Sequence, residues 1–232
     1  MPSTSLPAVA AALLALSACV PPPPEVKPAA VDGEQVALAL EDQTSLQEPI
    51  RVVFAWQLNE AGVRVKGRGV ARIEPPYRAR LDLFLGNGET VIRAALVDGD
   101  LRLPPGAPEG ILPPADLMWA VLGVFRPQFG IELLGAERLA VGEVRLRYRY
   151  ADARELYFGV EAGRIRTVEV LRDGHTTERV ELGLEDGDRY PAEATYRNLT
   201  AFRELKLTRE SMERVESYPP DIWDPNSVTA IR

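Results

Sequence analysis

The sequence predicts a fold that is mainly β with α: one curled antiparallel sheet, a helix ahead of it and a second helix inserted midway. Three observations predict it. From Ile50 onward apolar residues recur at every second position, the period of a strand with one face in a core. Turn signals such as Gly86-Asn87-Gly88 and Asp98-Gly99-Asp100 punctuate the alternation about every dozen residues, as in a meander. The pattern breaks once, at LPPGAPEGILPPADLMWAVLGVF from Leu103 to Phe125, where helical spacing replaces it.

The elements follow in order. Ala8 to Leu16 (AVAAALLAL) is an apolar run of signal-peptide length, too short to span a bilayer. It leads into Leu16-Ser17-Ala18-Cys19, which resembles the bacterial lipobox. The resemblance implies a signal peptide over 1–18 and lipidation of Cys19, although the opening MPSTSLP lacks the usual Lys or Arg. Val20, where an Asp would signal inner-membrane retention, directs the expectation to a lipid anchor in the outer membrane, facing the periplasm. Pro21 to Pro24 and Pro28 then favour an extended polyproline tether, assigned to 19–31.

Asp32 is placed to cap a helix reaching about Gln47, with Val36, Leu40 and Leu46 on one side. The same stretch contains QVALAL, which also alternates like a strand. Val52, Phe54, Trp56 and Leu58 then share one strand face. Tyr77, Ala79, Leu81, Leu83 and Leu85 share another, with Arg78, Arg80 and Asp82 on its solvated side. Pro113 and Pro114 suit the start of the inserted helix, whose stripe is Leu117, Val121 and Val124, flanked by Met118 and Trp119. Strands resume with Val144, Leu146, Tyr148 and Tyr150 alternating with Arg145, Arg147 and Arg149. Further strands are predicted at 153–160, 164–172, 176–184, 191–198 and 203–209. One domain is expected over 32–218 and an irregular tail over 219–232.

Composition excludes several function classes. A net charge of −7 is the wrong sign for a nucleic-acid binder. One Cys and one His provide neither an intramolecular disulfide nor a usual zinc set. No metal and no cofactor is expected. His175 follows Asp173-Gly174, a hairpin signal, and no G-x-S-x-G accompanies it. Gly67-x-Gly69 lies in a strand pattern without the helix that a phosphate loop needs. Glu185-Asp186-Gly187-Asp188 is too short for an EF-hand loop and reads as a turn. Arg145, Arg147 and Arg149 at alternate positions read as a solvated face. No catalytic residues are assigned.

An anchored cysteine, a helix, a meander, a helical insertion and further strands together resemble the lipoprotein-localisation-factor (LolA/LolB-like) superfamily. Two stretches carry the likeness: PPYRARLDLFLGNGETVIRAALVDGDLRL from Pro75 to Leu103, and GILPPADLMWAVLGVFRP over 110–127. The second is similar to the G-x-x-L-P…L-x-x-W…G pattern of the receptor branch at Leu112, Pro113, Leu117, Gly123 and Pro127, with Trp119 near the family's tryptophan. The family's lid-latching arginine has no matching position here. The resemblance implies an open half-barrel lidded by helices and a concave face that takes acyl chains. The residues expected to line it are Phe54, Trp56, Leu81, Leu83, Val91, Leu117, Met118, Trp119 and Tyr148. It also implies a membrane-inserting loop near Phe84 and Leu85, although a plain Asn-Gly hairpin fits that turn better.

Two functions stay open at this level. One is a non-enzymatic lipoprotein, attached to the membrane through acylated Cys19, that binds acyl chains of lipids or lipoproteins for transport or insertion. The other is a structural or assembly lipoprotein whose filled half-barrel presents a surface to an envelope protein partner. The same side chains serve either as cavity lining or as packed core.

Overall fold

Alternation of apolar and polar residues builds strands, and here it builds many. The computed structural model describes residues 29–227 apart from 109, 140, 141, 186 and 187. The expected signal peptide, Cys19 and the proline block therefore lie outside the described residues. The strands are β1 (Ala29–Val31), β2 (Ile50–Glu60), β3 (Val63–Glu74), β4 (Arg78–Leu85), β5 (Thr90–Val97), β6 (Asp100–Arg102), β7 (Glu132–Arg138), β8 (Glu143–Arg149), β9 (Glu155–Glu161), β10 (Arg164–Arg172), β11 (His175–Gly183), β12 (Glu193–Asn198) and β13 (Arg203–Arg214). They form one antiparallel sheet in the order β1-β7-β8-β9-β10-β11-β12-β13-β2-β3-β4-β5-β6. β1 and β6 are its free edges, so the sheet curls without closing. The architecture is the half-barrel that the sequence predicts.

Helix α1 (Gly33–Thr44) begins where expected, because the Asp32 carboxylate accepts from the Glu34 and Gln35 amides. It stops at Thr44, short of Gln47, and Leu46 is buried beyond its end. Helix α2 (Ala115–Val121) follows Pro113-Pro114 as predicted but ends at Val121, so Val124, expected on its stripe, is buried beyond the turn at Gly123. Ala29–Val31, the last residues assigned to the tether, form the edge strand β1 against β7. β7 itself is invisible to an alternation test. Its register shifts between Leu133 and Gly135, so Leu133-Leu134 breaks the two-residue period. Asp173-Gly174 makes the expected hairpin, both residues with positive φ, and His175 is exposed at the start of β11.

The concave face holds the core. Across β2, β3, β4 and β5 the register aligns Phe54, Gly69, Leu83 and Ile92 in one row, and Val52, Ala71, Leu81 and Ala94 in the next. Gly67 and Gly69 allow two aromatic rings to lie on β3. A Cβ at Gly69 would stand 2.5 Å from the Phe54 ring. One at Gly67 would stand 1.8 Å from the Phe84 carbonyl oxygen and 3.0 Å from the Trp56 ring. The Trp56 indole N–H, held there, donates to the carbonyls of Arg68 and Phe84 at 3.0 and 3.1 Å.

The convex face is a ladder of ion pairs over much of its width. Arg179 joins Glu169 (2.6 Å), and Arg197 joins both Glu181 (2.6 Å) and Glu204 (2.8 Å). Arg145 faces Glu137, and Arg145 and Arg147 lie half-buried over Tyr157, so of the three arginines expected on a solvated face only Arg149 is exposed. A second part of the expectation fails. Arg78 is exposed, but Arg80 and Asp82 are each only 3% exposed. The tail from Tyr218, expected to be irregular, crosses the convex side of β4 and β5 and buries Ile222 and Trp223 there through a 3-10 turn over Pro220–Trp223. Arg80 donates to Asp82, to the carbonyls of Ile222 (2.9 Å) and Asp224 (3.1 Å), and to Ser227. Sequence alternation reports which face a side chain takes, not what later lies across it.

Gly67→Ala is expected to destabilise the fold by about 2–4 kcal/mol, since backbone cannot yield as a side chain does. Gly99→Ala, with open space around it, stays within about 0.5 kcal/mol; urea unfolding of the two variants checks the contrast. The Glu204 carboxyl is held below its ordinary value of 4.5, first by the hydrogen bond from Arg197. A lowered folded value means its contribution is present above 4.5 and is lost as pH falls through the folded value. Glu204→Gln should therefore flatten the acid limb of a plot of Tm against pH.

Candidate functional site

A strongly curved sheet cannot fill its own concavity, so the inner face needs helices or a guest. Here α2 occupies it. Leu117, Met118, Trp119 and Ala120 are wholly buried, and α2 packs against β10, β11 and β12. α1 packs beside it over β7, β8 and β10. The residues expected to line a cavity are thus brought together in one apolar cluster. Phe54, Trp56, Leu81 and Leu83 form the sheet side of that cluster. Leu117, Met118 and Trp119 come from α2. Tyr148 belongs to an aromatic group with Phe125 and Phe158, at 6.4 and 5.9 Å between ring centres. Val91 packs at the margin and is only partly buried; Ile92, not Val91, faces Leu83 in the register.

Space remains around the insertion in three places: about 210 Å³ between Thr44, Gly123, Ile165 and Leu182, about 340 Å³ between Leu38, Phe125, Leu133 and Tyr148, and a smaller one beside α2. An apolar crevice of about 40 Å³ runs along the helix's C-terminal end, between Val121 and Leu122 on one side and Phe54, Ala71, Ala194 and Leu207 on the other. Tyr190, Pro191 and Arg209 frame its mouth. Pockets that enclose a small molecule run to about 300–1,000 Å³. The crevice is far smaller, so α2 fills the part of the concavity that Phe54 and Leu207 face.

Polar bonds tie the helical excursion down at its margins. The Trp119 indole donates to the Asp98 carbonyl at 2.6 Å, and its ring meets Tyr77 edge-on. The Tyr150 hydroxyl donates to Asp116 in the first turn of α2. Burial, then the Asp116 charge, holds the Tyr150 phenol far above its ordinary value. The Phe125 amide donates to the Thr44 hydroxyl at 2.9 Å, joining the end of α2's segment to the end of α1. Arg203, paired with Glu60, donates to the Gly110 carbonyl. Arg126 pairs with Asp98 (2.6 Å) and stacks over Tyr77 at 4.1 Å. Sequence reading missed this set of latches. A carbonyl acceptor such as that of Asp98 leaves no mark in a residue pattern, and Tyr150 registers only as the last apolar member of an alternating run.

Phe84 and Leu85 end β4 half-buried, and the following turn carries only Gly86, Asn87, Gly88 and Glu89. At the same end of the sheet the exposed apolar side chains are Val63 and Phe202, with Leu199 beside the latter in sequence. Phe129, after α2, is 99% exposed. Among the described residues no three His, Cys, Asp or Glu side chains gather to hold a metal ion. No helix among them is long and apolar enough to cross a membrane.

No family model matches the sequence, and no curated protein matches it. Solved structures do match. A LolA superfamily protein from Nitrosomonas europaea is similar at a TM-score of 0.56 and 12% identity, covering 84% of this chain and 98% of that one. A putative outer membrane lipoprotein-sorting protein domain from Vibrio parahaemolyticus is similar at 0.50 and 10% identity, with 84% and 98% covered. The fold is therefore LolA/LolB-like.

Tyr150→Phe removes the bond to Asp116 and leaves the ring in place. Loss of about 1.5–3 kcal/mol there should speed amide exchange in residues 117–121 about tenfold or more, with β2–β4 unchanged; hydrogen-exchange mass spectrometry reads both regions.

Proposed function

We propose that the protein is a non-enzymatic envelope lipoprotein, anchored through acylated Cys19, that takes an acyl chain of a lipid or another lipoprotein into the half-barrel in exchange for α2. The observation that carries this reading is that α2 is a short apolar plug bounded by Pro113-Pro114 and Gly123, whose side-chain bonds to the sheet region among the described residues are those of Trp119 and Asp116. The LolA/LolB-like fold supports it, and so does the crevice beside Phe54 and Leu207, where a chain end would enter.

The energetics allow such an exchange. Exposing Leu117, Met118 and Trp119 costs about 5–9 kcal/mol at about 1.5–3 kcal/mol each. A palmitoyl-length chain of about 15 methylenes returns about 12 kcal/mol on burial at about 0.8 kcal/mol each. The two magnitudes are comparable, so a guest can compete with the helix and the latches decide the balance.

One observation favours the second reading, a filled scaffold that presents its outer surface to an envelope protein partner. The concave cluster is already complete, with the side chains of α2 at its centre.

Titration of a fluorescent fatty acid into the Cys19→Ser protein separates the two. Under the carrier reading binding saturates, and Tyr150→Phe tightens it about tenfold or more by raising the fraction of open molecules. Absence of saturable binding in both proteins would overturn the carrier reading and leave the scaffold.

A further inference from the structure

The convex face carries a second feature, unconnected with α2. Between β2, β3 and β4 and the segment 217–222 lies a cavity of about 280 Å³. Its charged lining is three guanidinium groups, Arg51, Arg72 and Arg80, against two carboxylates, Asp82 and Glu213. Arg51 and Glu213 pair with each other at 2.9 Å near the rim, where the arginine is about one-third exposed. Asp82 is shared by Arg80 (3.0 Å) and Arg72 (2.5 Å). One buried carboxylate therefore faces two buried arginines.

The arginines differ in what they have left to give. Arg80 spends its donors on Asp82, Ile222, Asp224 and Ser227. Arg72, only 8% exposed, makes one hydrogen bond among the described residues, from Nη1 to Asp82. A guanidinium carries five N–H donors in a planar fork that matches a tetrahedral oxyanion. Burying an unmatched positive charge is costly unless a counter-charge joins it. The residues that roof the cavity, Tyr218 with its hydroxyl committed to the Ile50 carbonyl (2.7 Å), supply no such charge. The other carboxylate at this end, Glu74, accepts from the Tyr218 amide at 3.4 Å and lies 3.8 Å from Arg78.

We propose that this cavity binds a phosphate group, with Arg72 as the principal donor and Arg51 closing over it from the rim. In a chain of net charge −7 such a local excess of positive charge is a selective feature. The group can arrive free or as the head of a phospholipid, and both present the same oxygens to the guanidinium fork.

Arg72→Gln is the informative variant. It leaves Asp82 paired with Arg80 on both oxygens, so the buried carboxylate keeps its partner. Inorganic phosphate and dihexanoyl phosphatidylglycerol, each at fixed ionic strength, are titrated into the purified protein and its Arg72→Gln form by calorimetry. Saturable binding of either probe, weakened about tenfold or more in Arg72→Gln, is the expected result. Binding of phosphate assigns a free ligand, and binding of the lipid alone assigns a head group. No binding of either probe, or equal binding by Arg72→Gln, overturns the proposal. Circular dichroism of the variant confirms that it is folded, and Arg51→Gln, which leaves the buried residues intact, repeats the measurement with a smaller expected loss.

Discussion

The burial of α2 against the concave face is the contact on which the rest of the structure depends. An open sheet this curved exposes a continuous apolar surface from β10 through β13 to β5. Such a surface has no stable existence in water. Seven residues of helix, entering behind Pro113-Pro114 and leaving at Gly123, cover it over β10, β11 and β12, with α1 beside them over β7, β8 and β10. The glycines of β3 follow from the same requirement. Only by omitting Cβ at Gly67 and Gly69 does the sheet lay Trp56 and Phe54 flat enough to meet the helix and the neighbouring strands.

The antiparallel meander was legible because a two-residue period is robust over many strands, and its half-barrel form came from the family resemblance. β2, β4, β8 and the strands from β9 to β13 all carry clean alternation or a hairpin signal. Legibility ended where geometry departs from the period or where chemistry belongs to the backbone. β7 escaped because its bulge places Leu133 and Leu134 in succession. Val91 was named where Ile92 faces the core, since the bulge near Phe84 shifts the register between β4 and β5. Arg80 and Asp82 read as solvated because alternation assigns them outward, and outward they point. Their burial is decided more than a hundred residues later, by Ile222 and Trp223.

The candidate site was legible as a set of residues, and not as a state. Phe54, Trp56, Leu81, Leu83, Leu117, Met118, Trp119 and Tyr148 do meet. Apolar residues that pack on one another and apolar residues that wait for a guest have the same sequence signature. The difference lies in volume, and volume follows from the backbone path of the insertion. That path is set by bonds to carbonyls and hydroxyls, at Asp98, Thr44 and Gly110, none of which has a pattern to read.

The sheet is thus covered twice, by the excursion around α2 inside and by the tail outside, and the two covers are fastened differently. α2 is held chiefly by bonds between groups of which at least one is neutral, at the edge of the sheet. Each is worth about 0.5–1.5 kcal/mol net, rising to about 1.5–3 kcal/mol for Tyr150 on the Asp116 carboxylate. The tail is held by Arg80, a buried cation that reaches three residues of it while keeping Asp82. Releasing the tail would take from the Arg80 guanidinium its bonds to Ile222, Asp224 and Ser227, at about 1.5–3 kcal/mol for each bond to a charged group. Release of α2 strands no charge of that kind, and its apolar cost is the one an incoming chain can repay. If one cover of this sheet moves in service, the fastening selects α2.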